Sequence, residues 1–180
     1  MHFSIDQLVN LARMTQDDLN RINQCRRQHN KLGFGYQLSY VRMMNRFPVQ
    51  VPFEVVDDIL NYTSVQLGIP ANAITPYSNR RETIAEHQDQ IREYCGLERY
   101  TEQAVPRINE FLFQEACRLE ETSALMAKVD QFLKEQKILT PSVDTLRRII
   151  VNQRKAARDF IFAKIVELLS DEMIENLISN

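Results

Sequence analysis

Arginine and lysine fall into two runs along this chain, and each run suits contact with a polyanion. Between Leu19 and Phe53 stand Arg21, Arg26, Arg27, Lys31, Arg42 and Arg46, six cations without one Asp or Glu, in a chain of net charge -2. His29, Asn30 and Gln37 place neutral donors and acceptors among them. The second run, Arg147, Arg148, Arg154, Lys155 and Arg158, meets no acid between Asp144 and Asp159. Duplex DNA presents closely spaced phosphates, and each cation that neutralises one releases counterions. The resulting affinity falls with salt by a log-log slope of about 0.9 per contact. The planar donor fork of arginine also matches guanine edges in the major groove. Arg80 and Arg81, just ahead of another expected helix, extend the first set.

Chemistry of other kinds has weaker support. Asp57-Asp58, Glu82 with Glu86, and Glu120-Glu121 are carboxylates able to hold Mg²⁺, but adjacent or one-turn-apart acids on helices usually form a solvated face. No nucleophile sits in an activating context and no phosphate-cradling loop is present: Gly33-Phe34-Gly35 lacks a third glycine and a preceding strand. Cys25, Cys95 and Cys117 are odd in number and far apart, and His2, His29 and His87 lack ligand spacing, so neither a disulfide framework nor a metal site is expected. His87, beside an apolar stripe, reads as a structural residue.

The elements that must carry these residues are helices. With 180 residues and 44% hydrophobic side chains the chain can bury a core, and four glycines with no hairpin dipeptide argue for an all-α protein. No apolar run approaches the roughly 20 residues that cross a bilayer, and the first eleven residues lack the pattern of a signal peptide, so a cytoplasmic protein without membrane contact is expected.

A capping box at Thr15 to Asp18 opens one helix, and Phe34, Leu38 and Val41 mark a second from about Leu32 to Asn45. Gly33 and Gly35 would let a backbone or a phosphate approach it closely. Pro52 suits the first turn of a third helix, ended by Gly68. Ala71 to Tyr77 forms a short element, and a second capping box, Thr83 to Glu86, opens a helix that stops at Gly96. The order helix, glycine turn, short helix, helix outlines a helix-turn-helix. A boundary follows Leu97, giving subdomains 1–97 and 98–180, with Thr101 as the next N-cap.

In the second half, Val105, Ile108, Leu112, Ala116 and Leu119 line one helix, and Leu125, Val129, Phe132 and Leu133 line the next. After the Ile138 to Ser142 turn, Leu146, Ile149, Ile150, Ala157, Phe160, Ile161, Ile165 and Leu168 form the inward stripe of a long helix opposite its basic face. Beyond it, Asp171, Glu172 and Glu175 turn the end acidic.

The segment Arg26-Arg27-Gln28-His29-Asn30-Lys31-Leu32-Gly33-Phe34-Gly35-Tyr36-Gln37-Leu38, followed by Tyr40-Val41-Arg42 and Arg46-Phe47, resembles the N-terminal signature of the large replicative transposases of the "Tn-three" class. The likeness continues through Val51-Pro52, Gln66 to Ile69, Thr83 with His87, and Ile138 to Pro141. Three departures stand out: Lys31 for arginine, which loses bidentate geometry, Gly35 for alanine, and Ile84 where arginine is frequent. The last leaves Arg80 and Arg81 as the contact residues of that helix.

The resemblance implies a bacterial, nucleoid-associated, double-stranded-DNA-binding region that recognises the terminal inverted repeats of a transposon. It implies that Mg²⁺-dependent cleavage and strand transfer belong to a domain downstream, and that any self-association uses regions outside this chain, which looks like an N-terminal part of a longer protein. No cofactor is expected in the chain itself. The site expected from charge and resemblance together is Arg26, Arg27, His29, Asn30, Lys31, Gln37, Arg42, Arg46, Arg80, Arg81 and the five cations from Arg147 to Arg158. The competing reading is a helical protein-interaction or regulatory module whose basic faces meet acidic proteins.

Overall fold

The computed structural model describes residues 2–118 and 121–169. Leu119 and Glu120, and the acids Asp171, Glu172 and Glu175 expected to change the charge of the C-terminal end, lie outside the described residues. Among the described residues the regular structure is helical, with two isolated bridges and no strand, as the composition and periodicity indicate. No helix among them is long and apolar enough to cross a membrane. The chain forms two compact units, Met1–Arg99 with Lys137–Thr140, and Tyr100–Gln136 with Pro141–Asn180.

Unit 1 is built around one helix. α1 (Ile5–Ala12), which the sequence reading passed over, is started by a capping box in which Ser4 and Gln7 exchange hydrogen bonds of 2.9 and 3.2 Å. α2 (Gln16–Gln24) starts from the expected Thr15/Asp18 box. α3 (Gln28–Met44) begins a turn earlier than expected, and its residues from Leu32 to Val41 are buried without a break. A helix buried all round must be apolar or small on every face. Leu32, Tyr36, Tyr40 and Met43 pack against Leu8, Ile59, Ile74, Tyr77 and Ile84, while Phe34, Leu38 and Val41 pack against Met14, Ile22 and Ile91.

Gly33 and Gly35 serve this packing rather than the approach of a backbone or a phosphate. A Cβ on Gly33 would lie 2.4 Å from the Tyr77 ring, and one on Gly35 2.9 Å from Leu67 and Met14.

Two further boundaries in unit 1 differ from expectation. Pro52 follows a cis peptide bond in the α3–α4 connection, and α4 (Asp57–Leu67) starts five residues later, because Glu54 is held in the turn by Arg46 and Val49. α4 does end at Gly68, whose φ of 62° a side chain would resist. A 3₁₀ turn (Ala71–Ala73) leads into α5 (Ile74–Ser78), and α6 (Arg81–Cys95) starts at Arg81. Thr83 is therefore inside α6 and caps nothing, and the N-cap Arg80 has no side-chain capping bond. The short segment Lys137–Thr140 joins this unit through Glu98 amide to Lys137 carbonyl at 2.7 Å and Thr140 amide to Asn45 carbonyl at 2.7 Å.

Among its described residues unit 2 packs three helices: α7 (Val105–Ala116), α8 (Thr122–Glu135) and α9 (Val143–Leu168). α7 starts after a turn instead of at Thr101, with Pro106 in its first turn. Ser142 caps α9, accepting from the Thr145 amide at 3.2 Å. Ile108, Leu112, Leu125, Val129, Leu133, Leu146 and Ile150 form the interior. The expected stripe of α9 is buried only as far as Ala157; Phe160, Ile165 and Leu168 are 48%, 51% and 81% exposed. Length explains the change. α7 and α8 have 12 and 14 residues against 26 in α9, so at about 1.5 Å per residue they cannot cover its last turns.

Candidate nucleic-acid interface

The cations expected to meet an anion separate into two groups. Arg42 donates to both carboxylate oxygens of Asp18 at 2.8 Å, and Asp18 also accepts from the Thr15 amide at 2.7 Å and the Tyr94 hydroxyl at 2.8 Å. Burial alone would raise the pKa of Asp18, but the bonds from Arg42, Thr15 and Tyr94 and the Arg42 charge hold it at about 2. Arg46 makes the same two-pronged pair with Glu54 at 2.8 and 2.9 Å and lies 5.2 Å from the Tyr40 ring centre. That hydrogen bonding brings Glu54 down to about 2. Gln37 is fully buried and donates to the Tyr77 hydroxyl and the Ile84 carbonyl. In this unit Arg42, Arg46 and Gln37 are internal fasteners, committed to protein partners.

The other group is open to solvent. Arg26 and Arg27 are exposed before α3, and Arg80 and Arg81 are exposed at the start of α6. The fold brings these two helix starts together around His29. Burial lowers the pKa of this partly buried imidazole, and the charges of Arg80 and then Arg27 lower it further. The buried Nε2 of His29 and Oδ1 of Asn30 have no hydrogen-bond partner among the described residues. Lys31 donates to Asn23 at 2.9 Å on the surface. The resulting feature is a local excess of positive charge at two helix N-termini, where backbone N–H groups and helix dipoles favour an anion.

His87, by contrast, is structural, as its place on α6 indicates. It is 7% exposed, its Nδ1 lies 2.9 Å from the Tyr77 hydroxyl, and burial lowers its pKa to about 4. The three cysteines are free, and no group of three or more His, Cys, Asp or Glu among the described residues is arranged to hold a metal ion.

In unit 2, Arg147, Arg148, Arg154, Lys155 and Arg158 are all exposed. Arg147, Arg154 and Arg158 align on one helical face, spanning about 16 Å at 1.5 Å per residue, and Arg148 and Lys155 flank them. Arg154 donates to Thr122 Oγ1, and Arg158 Nε is 3.9 Å from Asp159 Oδ1. The remaining three carry no ion pair among the described residues.

Comparison with known proteins adds ancestry to this geometry. A family model described as "Domain of unknown function (DUF4158)" matches residues 2–152. The chain belongs to the DUF4158 family. Among curated relatives of this DUF4158 chain is "Transposase for transposon Tn1546" of Enterococcus faecium, 28% identical over 160 residues, covering 89% of the chain and 16% of the relative. "Transposase for transposon gamma-delta" of Escherichia coli (strain K12) is 29% identical over 165 residues, covering 90% and 16%. "Transposase for transposon Tn501" of Pseudomonas aeruginosa is 22% identical over 168 residues, covering 93% and 17%. The DUF4158 chain is thus related over nearly all its length to "Tn-three" class transposases and spans about a sixth of theirs. Of the segment that chiefly carried the resemblance, Arg26 to Leu38, the part from Leu32 on falls on the buried part of α3, and Arg26 to Gln28 are exposed.

The sequence reading did not single out a further surface of unit 1. Gln50, Val51, Thr75, Asn79 and Arg81 line an open groove of about 500 Å³ beside the start of α6. No spacing in the sequence joins Val51 to Asn79; Glu54 does so by fixing the connection before α4.

Proposed function

We propose that this chain is a DNA-binding part of a replicative transposase and recognises the terminal inverted repeats of its transposon. The observation that carries this reading is the set of exposed cations on each unit. Arg26, Arg27, Arg80 and Arg81 are exposed in unit 1, Arg27 and Arg80 beside His29, and Arg147, Arg148, Lys155 and their neighbours lie along α9 in unit 2. The transposase relatives supply the context in which such surfaces meet DNA. Each unit is a DNA-binding subdomain, and together they follow one transposon end. The cleavage and strand-transfer chemistry, with its Mg²⁺, belongs elsewhere in the longer protein, which works in the bacterial cytoplasm on the nucleoid.

A second reading, a helical protein-interaction module, draws on the exposed Phe162, Ile165, Val166 and Leu168 of α9. A gel shift of the chain with random duplex at low salt separates the two. A DNA-binding region retards the duplex, and retardation weakens steeply as salt rises. An unretarded duplex would leave the interaction module as the better account.

A further inference from the structure

The groove of unit 1 has one braced wall and one polar wall. The braced wall is the α3–α4 connection. The Val49 amide donates to Glu54 Oε2 at 3.1 Å, and the Glu54 amide donates back to the Val49 carbonyl at 2.8 Å. The Tyr36 hydroxyl donates to the Glu54 carbonyl and accepts from the Val56 amide, both at 2.9 Å. Arg46 holds the Glu54 carboxylate from inside. What this bracing presents to solvent is apolar: Val49, Val51 and Val55 are 54%, 60% and 40% exposed.

Across the groove stand Thr75, Asn79 and Arg81, all exposed. Asn79 donates one Nδ2 hydrogen to the Thr75 carbonyl at 3.3 Å, which leaves its second N–H and its Oδ1 for another partner. Arg81 carries no ion pair among the described residues. Among the described residues no acidic side chain lines the groove, whereas the cleft lined by Arg21, Cys25, His87 and Tyr94 includes Glu93.

We propose that this groove is the base-reading site of unit 1 and takes the edge of duplex DNA in the major groove. The proposal rests on the DNA-binding reading above and supplies what exposed arginines alone lack, because contacts to phosphate position a duplex without reading its sequence. The residue types match base-edge chemistry: a guanidinium for guanine O6 and N7, a carboxamide for adenine N6 and N7, and side-chain methyls for the thymine methyl. Adjacent residues at the start of α6 divide the work. Arg80, with Arg27, forms the phosphate clamp around His29, and Arg81 faces the groove. A rigid wall matters here because base readout depends on holding side chains at fixed geometry, and the Glu54 bracing provides that before DNA arrives.

The test is selection from a randomised duplex pool by the 180-residue chain and by its variants, followed by sequencing. The wild-type chain returns a motif. Asn79→Ala and Arg81→Ala each relax part of it, with roughly tenfold loss of discrimination at the affected position. Arg27→Ala with Arg80→Ala returns the same motif at lower affinity. Replacing every thymidine in the selected duplex by deoxyuridine removes only the methyl groups and weakens the wild-type chain more than Val51→Ala. Unchanged motifs from both Asn79→Ala and Arg81→Ala would overturn the assignment of this groove, as would duplex binding by the wild-type chain without any motif. A chain that retains no duplex at low salt would overturn the DNA-binding reading itself.

Discussion

The acid-free stretch around α3 and the basic run of α9 are alike in the sequence and end in opposite situations. On α3, Arg42 is closed onto Asp18, and Arg46, just past its end, is closed onto Glu54. Along α9, Arg147, Arg148 and Lys155 stand in solvent without an ion pair among the described residues. The acid-free stretch that begins at Leu19 and ends at Phe53 is flanked by the very carboxylates that pair with two of its six cations, residues 18 and 54. A run of one charge in a sequence therefore says little about surface potential until its counterions are located. A buried central helix draws its counterions inward from neighbouring elements; a helix packed on one face leaves its other face charged.

Substitutions that remove charge from either helix should expose this difference. The largest effect is expected for Arg42→Ala, which leaves the fully buried Asp18 carboxylate without its cation and costs about 3 kcal/mol of stability. Denaturant unfolding measures it, while affinity of the folded fraction for duplex stays at the wild-type level. Gly33→Ala probes the same helix without charge. The new methyl overlaps the buried Tyr77 ring, so unfolding should show a loss of about 2 kcal/mol.

Acid provides a third probe. The folded pKa of Asp18 lies at about 2 against an ordinary 3.8. A depressed carboxylate contributes stability above its unfolded pKa and loses it as pH falls through the folded value, so about 2 kcal/mol should disappear between roughly pH 4 and 2. In Asp18→Asn that portion of the acid transition should be missing. The smallest effect in energy is the one on α9. Arg147→Ala with Arg148→Ala should change stability by less than about 0.5 kcal/mol. It should lower the log-log salt slope of duplex binding by about 1.8.

The sequence carried the fold class, the Thr15 box, the Gly68 and Gly96 stops and the inward stripe of α9 as far as Ala157, because each is written in local spacing. The start of α6 and the path through Pro52 were not legible. Both are decided by contacts distant in sequence, such as the Tyr36 hydroxyl on Glu54 and the Tyr77 ring on Gly33. The site was legible in the same partial way. Exposure of Arg147 to Arg158 follows from one helix with one buried face. The commitment of Arg42, Arg46 and Gln37 to protein partners requires knowing which residues meet across unit 1, as does the gathering of Arg27 and Arg80 around His29.

The claim that the unpaired cations, and not the paired ones, hold an anionic duplex is tested most directly by salt titration of duplex binding. The wild-type chain is compared with Arg26→Ala/Arg27→Ala, Arg147→Ala/Arg148→Ala and Arg42→Ala/Asp18→Asn. The account predicts shallower slopes, lower by about 1.8, for the first two pairs and a wild-type slope for the third. Wild-type slopes for the first two, or a shallower slope only for the third, would contradict it.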